Sequence, residues 1–137
     1  MSTWYRDIQP LQEPFDLGLD DAGRQIVGFN VLATKRPSAT LLQDLLVILE
    51  AAGVGRPRVD MFASSLAVLP RPSDDLGPVL LLRLTGGTGP AGTHNDGAGA
   101  YSRPAVQVVV HGASWEAAET MARAAYSALC AVRNQAA

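Results

Sequence analysis

The chain has 137 residues, 47% of them hydrophobic and 18% charged, with a formal net charge of -2. This length and apolar fraction predict one domain with a real core and exclude wholesale disorder. Residues 1–37 carry four basic and five acidic side chains and residues 38–137 carry seven and eight, so nucleic-acid binding by bulk electrostatic attraction is disfavoured. A single cysteine, Cys130, excludes an internal disulfide scaffold. Met1 to Asp7 lacks the basic-then-apolar pattern of a signal peptide, and the longest apolar stretch, Leu41 to Val54, is broken by Asp44 and Glu50. The expectation is a soluble intracellular domain.

In chain order, the first 37 residues read as an added arm. Pro10 and Pro14 interrupt a polar start, and Asp20-Asp21-Ala22-Gly23 is a turn pattern. Arg24 to Thr34 is rich in strand formers, and Leu17-Gly18-Leu19 can pair with it as a hairpin. A lone hairpin is marginal in water, so it needs a core or a neighbouring chain to lean on. Residues 38–137 are expected to fold without it, so deletion of residues 2–36 is expected to leave a folded domain.

Residues 39 to 52 predict a helix. Thr40 and Gln43 form a capping-box pattern, Leu41, Leu45, Leu49 and their neighbours make an apolar stripe, and Gly53, Gly55 and Pro57 stop it. Three strands are expected next, over Val59–Leu69, Val79–Leu84 and Ala105–His111. A Pro-flanked turn over residues 70–78 joins the first two, and a glycine-rich loop over residues 86–103 joins the last two. A second helix is predicted from Trp115 to Arg133, with Ser114 as N-cap, Glu116 and Glu119 at the positive end of the dipole, and Arg133 at the negative end. Trp115 is expected in the core or in a staple over the helix start. The fold class is therefore α+β: an antiparallel or mixed sheet of about four strands packed by two helices, with an N-terminal hairpin arm.

No set of residues makes a convincing catalytic or metal site. Gly87-Thr88-Gly89-Pro90-Ala91-Gly92 has neither the lysine nor the following helix that a phosphate loop needs, since Lys35 is the only lysine. The dinucleotide fingerprint fails too, because Tyr101-Ser102-Arg103-Pro104 and a strand follow. The loop reads instead as a contact loop that orders on assembly. His94, Asp96 and His111 lack metal-ligand spacing. Cys130 sits near a helix C-terminus, where the dipole disfavours a thiolate. Asp74-Asp75 and the Glu116/Glu119 pair have structural explanations as turn and helix start. No catalytic, metal or cofactor residue is assigned, and no enzymatic activity is expected. Trp4 and Tyr5 are aromatics without an obvious core to join, which marks them as anchors on a partner surface.

Three stretches, in this order and spacing, resemble the minor capsid or tail terminator proteins of long-tailed bacteriophages. They are the helix ending Leu49-Glu50-Ala51-Ala52-Gly53-Val54-Gly55; Leu69-Pro70-Arg71-Pro72-Ser73-Asp74-Asp75 leading to an apolar strand and Thr85-Gly86-Gly87; and Tyr101-Ser102-Arg103-Pro104 to Val110 running into Glu116 to Leu129. The similarity spans residues 38 to 134. It implies a virion protein that forms a hexameric ring on the last ring of the tail tube, ends tube growth and meets the head connector. The implied partners are copies of itself, the tail-tube protein and the head–tail connector protein, with passing contact to DNA in the lumen and none with membrane. The alternatives are a head-completion or neck connector protein, or a small ligand-binding domain using the Gly86–Gly99 loop. Candidate assembly residues are Trp4, Tyr5, Phe15, Arg71, Asp74, Asp75, His94, Tyr101 and Arg103. A closed ring needs two different patches per subunit, for which arms, strand edges and loops are suited. The 10 arginines against one lysine fit interface chemistry.

Overall fold

The computed structural model describes residues 4–20, 23–35, 41–57, 59–63, 78–91 and 101–136. The chain is α+β. Its elements are β1 (Trp4–Pro10), β2 (Phe15–Leu19), β3 (Gln25–Lys35), α1 (Leu41–Ala51), β4 (Met61–Ala63), β5 (Val79–Ala91), β6 (Tyr101–Gly112), α2 (Trp115–Cys130) and β7 (Arg133–Ala136). The strands form one open, mixed sheet in the order β4-β5-β6-β3-β1-β7, with β2 pairing β3 off this path. Only β4 and β5 run parallel.

Among the described residues the sheet has seven strands rather than about four, and the extra ones come from the N-terminal segment and the C-terminal residues 133–136. The described part of the N-terminal segment, residues 4–20 and 23–35, is built into the sheet rather than standing off as an arm. β3 lies in the sheet interior, paired along its length with β6 on one side and with β1 and then β2 on the other. Its alternation turns Val27, Phe29, Val31 and Ala33 toward the helices, and all four are fully buried. The hairpin reading of Leu17–Leu19 with the strand after Gly23 is met, since Leu19 pairs with Gln25 across the Asp20–Gly23 turn. β1 was hidden by its irregular pattern. A bulge between Tyr5 and Asp7 lets Tyr5 and Ile8, three positions apart, both face inward.

Both helices cover one face of the sheet. α2 packs on β1, β3 and β6, and α1 packs on α2, β4 and β5. Leu41, Leu45 and Leu49 of α1 and Ala118, Met121, Ala122, Ala125 and Leu129 of α2 join Leu80, Leu82, Val106, Val108 and Val110 in a single cluster. Phe29 meets Tyr126 of α2 edge to face, with centroids 5.5 Å apart. The small residues of α2 allow close approach: a Cβ on Gly112 would lie 2.9 Å from the Ala118 backbone nitrogen.

The helix ends follow local chemistry. Gly53, at φ 78°, closes α1 in a Schellman motif: its N–H donates to Glu50 O, and the Val54 N–H donates to Leu49 O. Ser114 caps α2, its hydroxyl accepting from the Ala117 N–H. Thr40 of the expected capping box lies outside the described residues. α2 stops at Cys130 rather than Arg133, because the chain turns at Ala131 and enters β7, which pairs with β1. Arg133 therefore opens a strand instead of ending a helix.

The expected strand over Val59–Leu69 is present as Met61–Ala63, and residues 64–70 lie outside the described residues. The strands flanking the glycine-rich loop are longer than expected. Gly86, Gly87, Thr88 and Ala91 pair with Ala105, Pro104, Arg103 and Tyr101. Much of the expected loop is thus a β-hairpin, with register shifts after Leu84 and Thr88 absorbing its glycines. Cross-strand pairing overrides the low strand propensity of glycine here.

Candidate functional site: the sheet edge at β1 and β2

β1 and β2 lie end to end along the same side of β3, joined by residues 11–14. The Leu11 N–H still donates to Asn30 O at 2.8 Å, so the segment stays against β3 across the break. β7 pairs only with β1, from Trp4 to Asp7, and every residue of β2 is exposed. Nine large hydrophobic residues are exposed among the described ones, and five of them (Trp4, Leu11, Phe15, Leu17 and Leu19) lie on this edge.

Strand alternation explains which aromatic is available. Trp4 faces outward, whereas Tyr5 is fully buried, and its hydroxyl donates to Asp44 Oδ2 at 2.8 Å. Tyr5 is therefore a core residue rather than an anchor for a partner. Phe15 is exposed on the edge, and Arg103 is exposed on β6. Tyr101 pairs through its backbone with Ala91. Arg71, Asp74, Asp75 and His94 lie outside the described residues. Trp115, expected in the core or in a staple over the helix start, is 40% exposed and so is not a core residue, because it precedes the first inward position of α2 at Ala118.

The edge is partly closed to further pairing. The Gly18 N–H donates to Asp16 Oδ1 at 2.7 Å, and Gln25 Nε2 donates both to Asp16 Oδ1 and to Gly18 O. These side chains satisfy both main-chain groups of Gly18 at the bulge and blunt that end of β2. Leu17 folds back over β3, where a Cβ on Gly28 would meet its Cδ1 at 2.7 Å. Leu17 and Ile26 then border a small depression of about 270 Å³ over Leu81 and Val109, rimmed by Arg83 and His111.

Two polar clusters brace the edge from inside. Lys35 is only 2% exposed, because β3 alternation turns it to the core side beside α1. Burial pushes its ammonium below the ordinary lysine value, with the Asp44 carboxylate opposing that shift. Burial, and then the hydrogen bond to Asp44, push the Tyr5 phenol far above its usual range. At the other end, Asp20 Oδ2 lies 2.9 Å from His111 Nδ1 and 2.8 Å from Arg24 Nε, which fixes the β2–β3 turn to the end of β6. Alternation predicts the inward position of Lys35, but the sequence does not identify Asp44 as its neighbour.

Elsewhere, burial raises the Cys130 thiol above its usual range, only partly offset by Arg133 and Tyr126. A groove of about 600 Å³ runs between the α1–β4 connection and the start of α2, bordered by Val54, Asp60, Pro78, Glu116 and Met121. Among the described residues, no group of three His, Cys, Asp or Glu side chains could hold a metal ion, and no helix is long and apolar enough to cross a membrane. No protein-family model, curated protein or solved structure matches this chain.

Proposed function

We propose that this protein is a structural virion component, a phage tail terminator that docks copies of itself as a ring on the tail tube, ends tube growth and presents a surface to the head connector. It acts by shape and adhesion rather than by transforming a substrate. The observation that carries this reading is the concentration of exposed apolar side chains, Leu11, Phe15, Leu17 and Leu19, along one sheet edge, with exposed Trp4 on the neighbouring stretch that β7 pairs. Exposed hydrophobic residues scattered singly need no explanation, but a row along a strand edge marks a surface that another chain covers. The kind of assembly is taken from the resemblance of the three sequence stretches to tail terminators. On this reading the protein resides in the host cytoplasm before assembly and in the tail or neck of the virion afterwards.

The test is genetic and visual. Phage lacking this gene are expected to make tails of uncontrolled length that do not join heads, and a tagged chain is expected at the head-proximal end of the tube by electron microscopy. Tails of normal length made in its absence refute the proposal. Density for the tag on the head side of the neck, together with normal tails, would instead favour a connector protein.

A further inference from the structure

We infer that the corner formed by the β5–β6 hairpin of one copy docks on the β2 corner of the next copy, arginine side against acidic side. This inference rests on the assembly reading above and names the two patches that such an assembly would use. The topology separates them. β2 pairs with the first residues of β3, which lie beside the last residues of β6 and the first of β5. The outer half of the hairpin, from Arg83 onward, extends past β4, which pairs β5 only from Leu80 to Leu82. Among the described residues, no strand pairs the outer side of β2 or of β5 beyond Leu82, and these two stretches occupy diagonally opposite corners of the sheet. Apart from Arg83, which borders the depression beside Leu17, the two stretches of one copy do not meet, whereas those of successive copies can, head to tail. That is the heterologous contact a ring requires.

The chemistry of the two corners is complementary. Residues 11–20 carry Glu13, Asp16 and Asp20 and no basic residue; Asp20 is already paired with Arg24 and His111, which leaves Glu13 and Asp16 as the acidic groups of this corner. The described hairpin residues 79–91 and 101–112 carry Arg83 and Arg103 and no carboxylate. Neither arginine has an ion-pair partner among the described residues, and Glu13 has only a 3.5 Å contact with the half-exposed Arg123. Each corner also offers an apolar group, Phe15 on one and the 55%-exposed Leu84 on the other. Apolar contact at the centre with paired charges at the rim is the anatomy of a specific interface.

The experiment uses the full chain, with and without purified tail tubes, followed by native mass spectrometry and sedimentation. Asp16→Arg and Arg103→Glu are each expected to weaken self-association by about tenfold or more, because each sets like charges face to face. An equimolar mixture of the two variants is expected to restore it in assemblies containing both, since every contact then joins either two parent corners or two reversed ones. Far-UV circular dichroism checks the fold. Asp16 also caps Gly18, so Glu13→Arg replaces Asp16→Arg if the latter's spectrum departs from the parent's. Single variants that associate like the parent, or a mixture that fails to recover, overturn this contact and leave the ring standing. A parent chain that stays monomeric even with tail tubes overturns the ring and the contact together.

Discussion

Phe29→Ala distinguishes a core role for the N-terminal segment from a peripheral one. Phe29 is fully buried at the centre of β3 and packs edge to face on Tyr126 at 5.5 Å. Its truncation removes both the transfer free energy of a large aromatic and its contacts with α2, and costs about 3–5 kcal/mol for a site of this kind. On an arm without a core of its own, the same change would stay within about 0.5 kcal/mol, as surface substitutions do. For a domain of this size the urea slope is about 1–3 kcal/mol per molar, so the unfolding midpoint is expected to fall by about 1–5 M. Equilibrium urea titration followed by far-UV circular dichroism reads this directly. A midpoint within ~0.3 M of the parent's would refute the placement of β3 in the core. The same reasoning applies to deletion of residues 2–36. That deletion removes five fully buried large side chains, Tyr5, Ile8, Val27, Phe29 and Val31. At about 1.5–3 kcal/mol each, their loss is comparable to the whole stability of a domain, so the truncated chain is expected not to fold.

Further outcomes follow from individual contacts. Tyr5 stays protonated in the folded chain while its unfolded counterpart ionises near 10, so the stability it contributes is complete below that pH and is lost as pH rises above it. Tyr5→Phe should flatten this alkaline decline in thermal unfolding, and an unchanged slope would refute the assignment. Lys35 has the opposite sign. Its lowered value makes stability rise with pH up to the unfolded value of 10.5, a rise that Lys35→Met should abolish in the same melts. Gly112→Ala forces a Cβ against the Ala118 backbone nitrogen and should cost about 1–3 kcal/mol in urea titrations, unless α2 can move away without loss. Phe15→Ser should leave stability within about 0.5 kcal/mol of the parent yet reduce incorporation into tails, measured by complementation of a phage lacking the gene.

What the sequence by itself determined is local in origin. The stripe of Leu41, Leu45 and Leu49 with the Gly53 stop defines α1, Ser114 begins α2, and the runs around Val79 and Val106 specify two core strands; these follow from periodicity and capping, which neighbours along the chain decide. Tyr5 departs from the sequence expectation of a partner anchor: the sequence did not mark β1 as a strand, its alternation turns Tyr5 inward, and the bulge that follows keeps Ile8 on the same face, a feature no local pattern announces. The extension of β5 and β6 through glycine-rich stretches depended on each having the other beside it. The Lys35–Asp44–Tyr5 cluster depended on the fold bringing Asp44 of α1 within hydrogen-bond reach of Tyr5 on β1. Only the tertiary structure made the N-terminal segment part of the core, because strand pairing joins residues far apart in sequence. Whether a strand is central or peripheral is a property of its partners rather than of its own side chains.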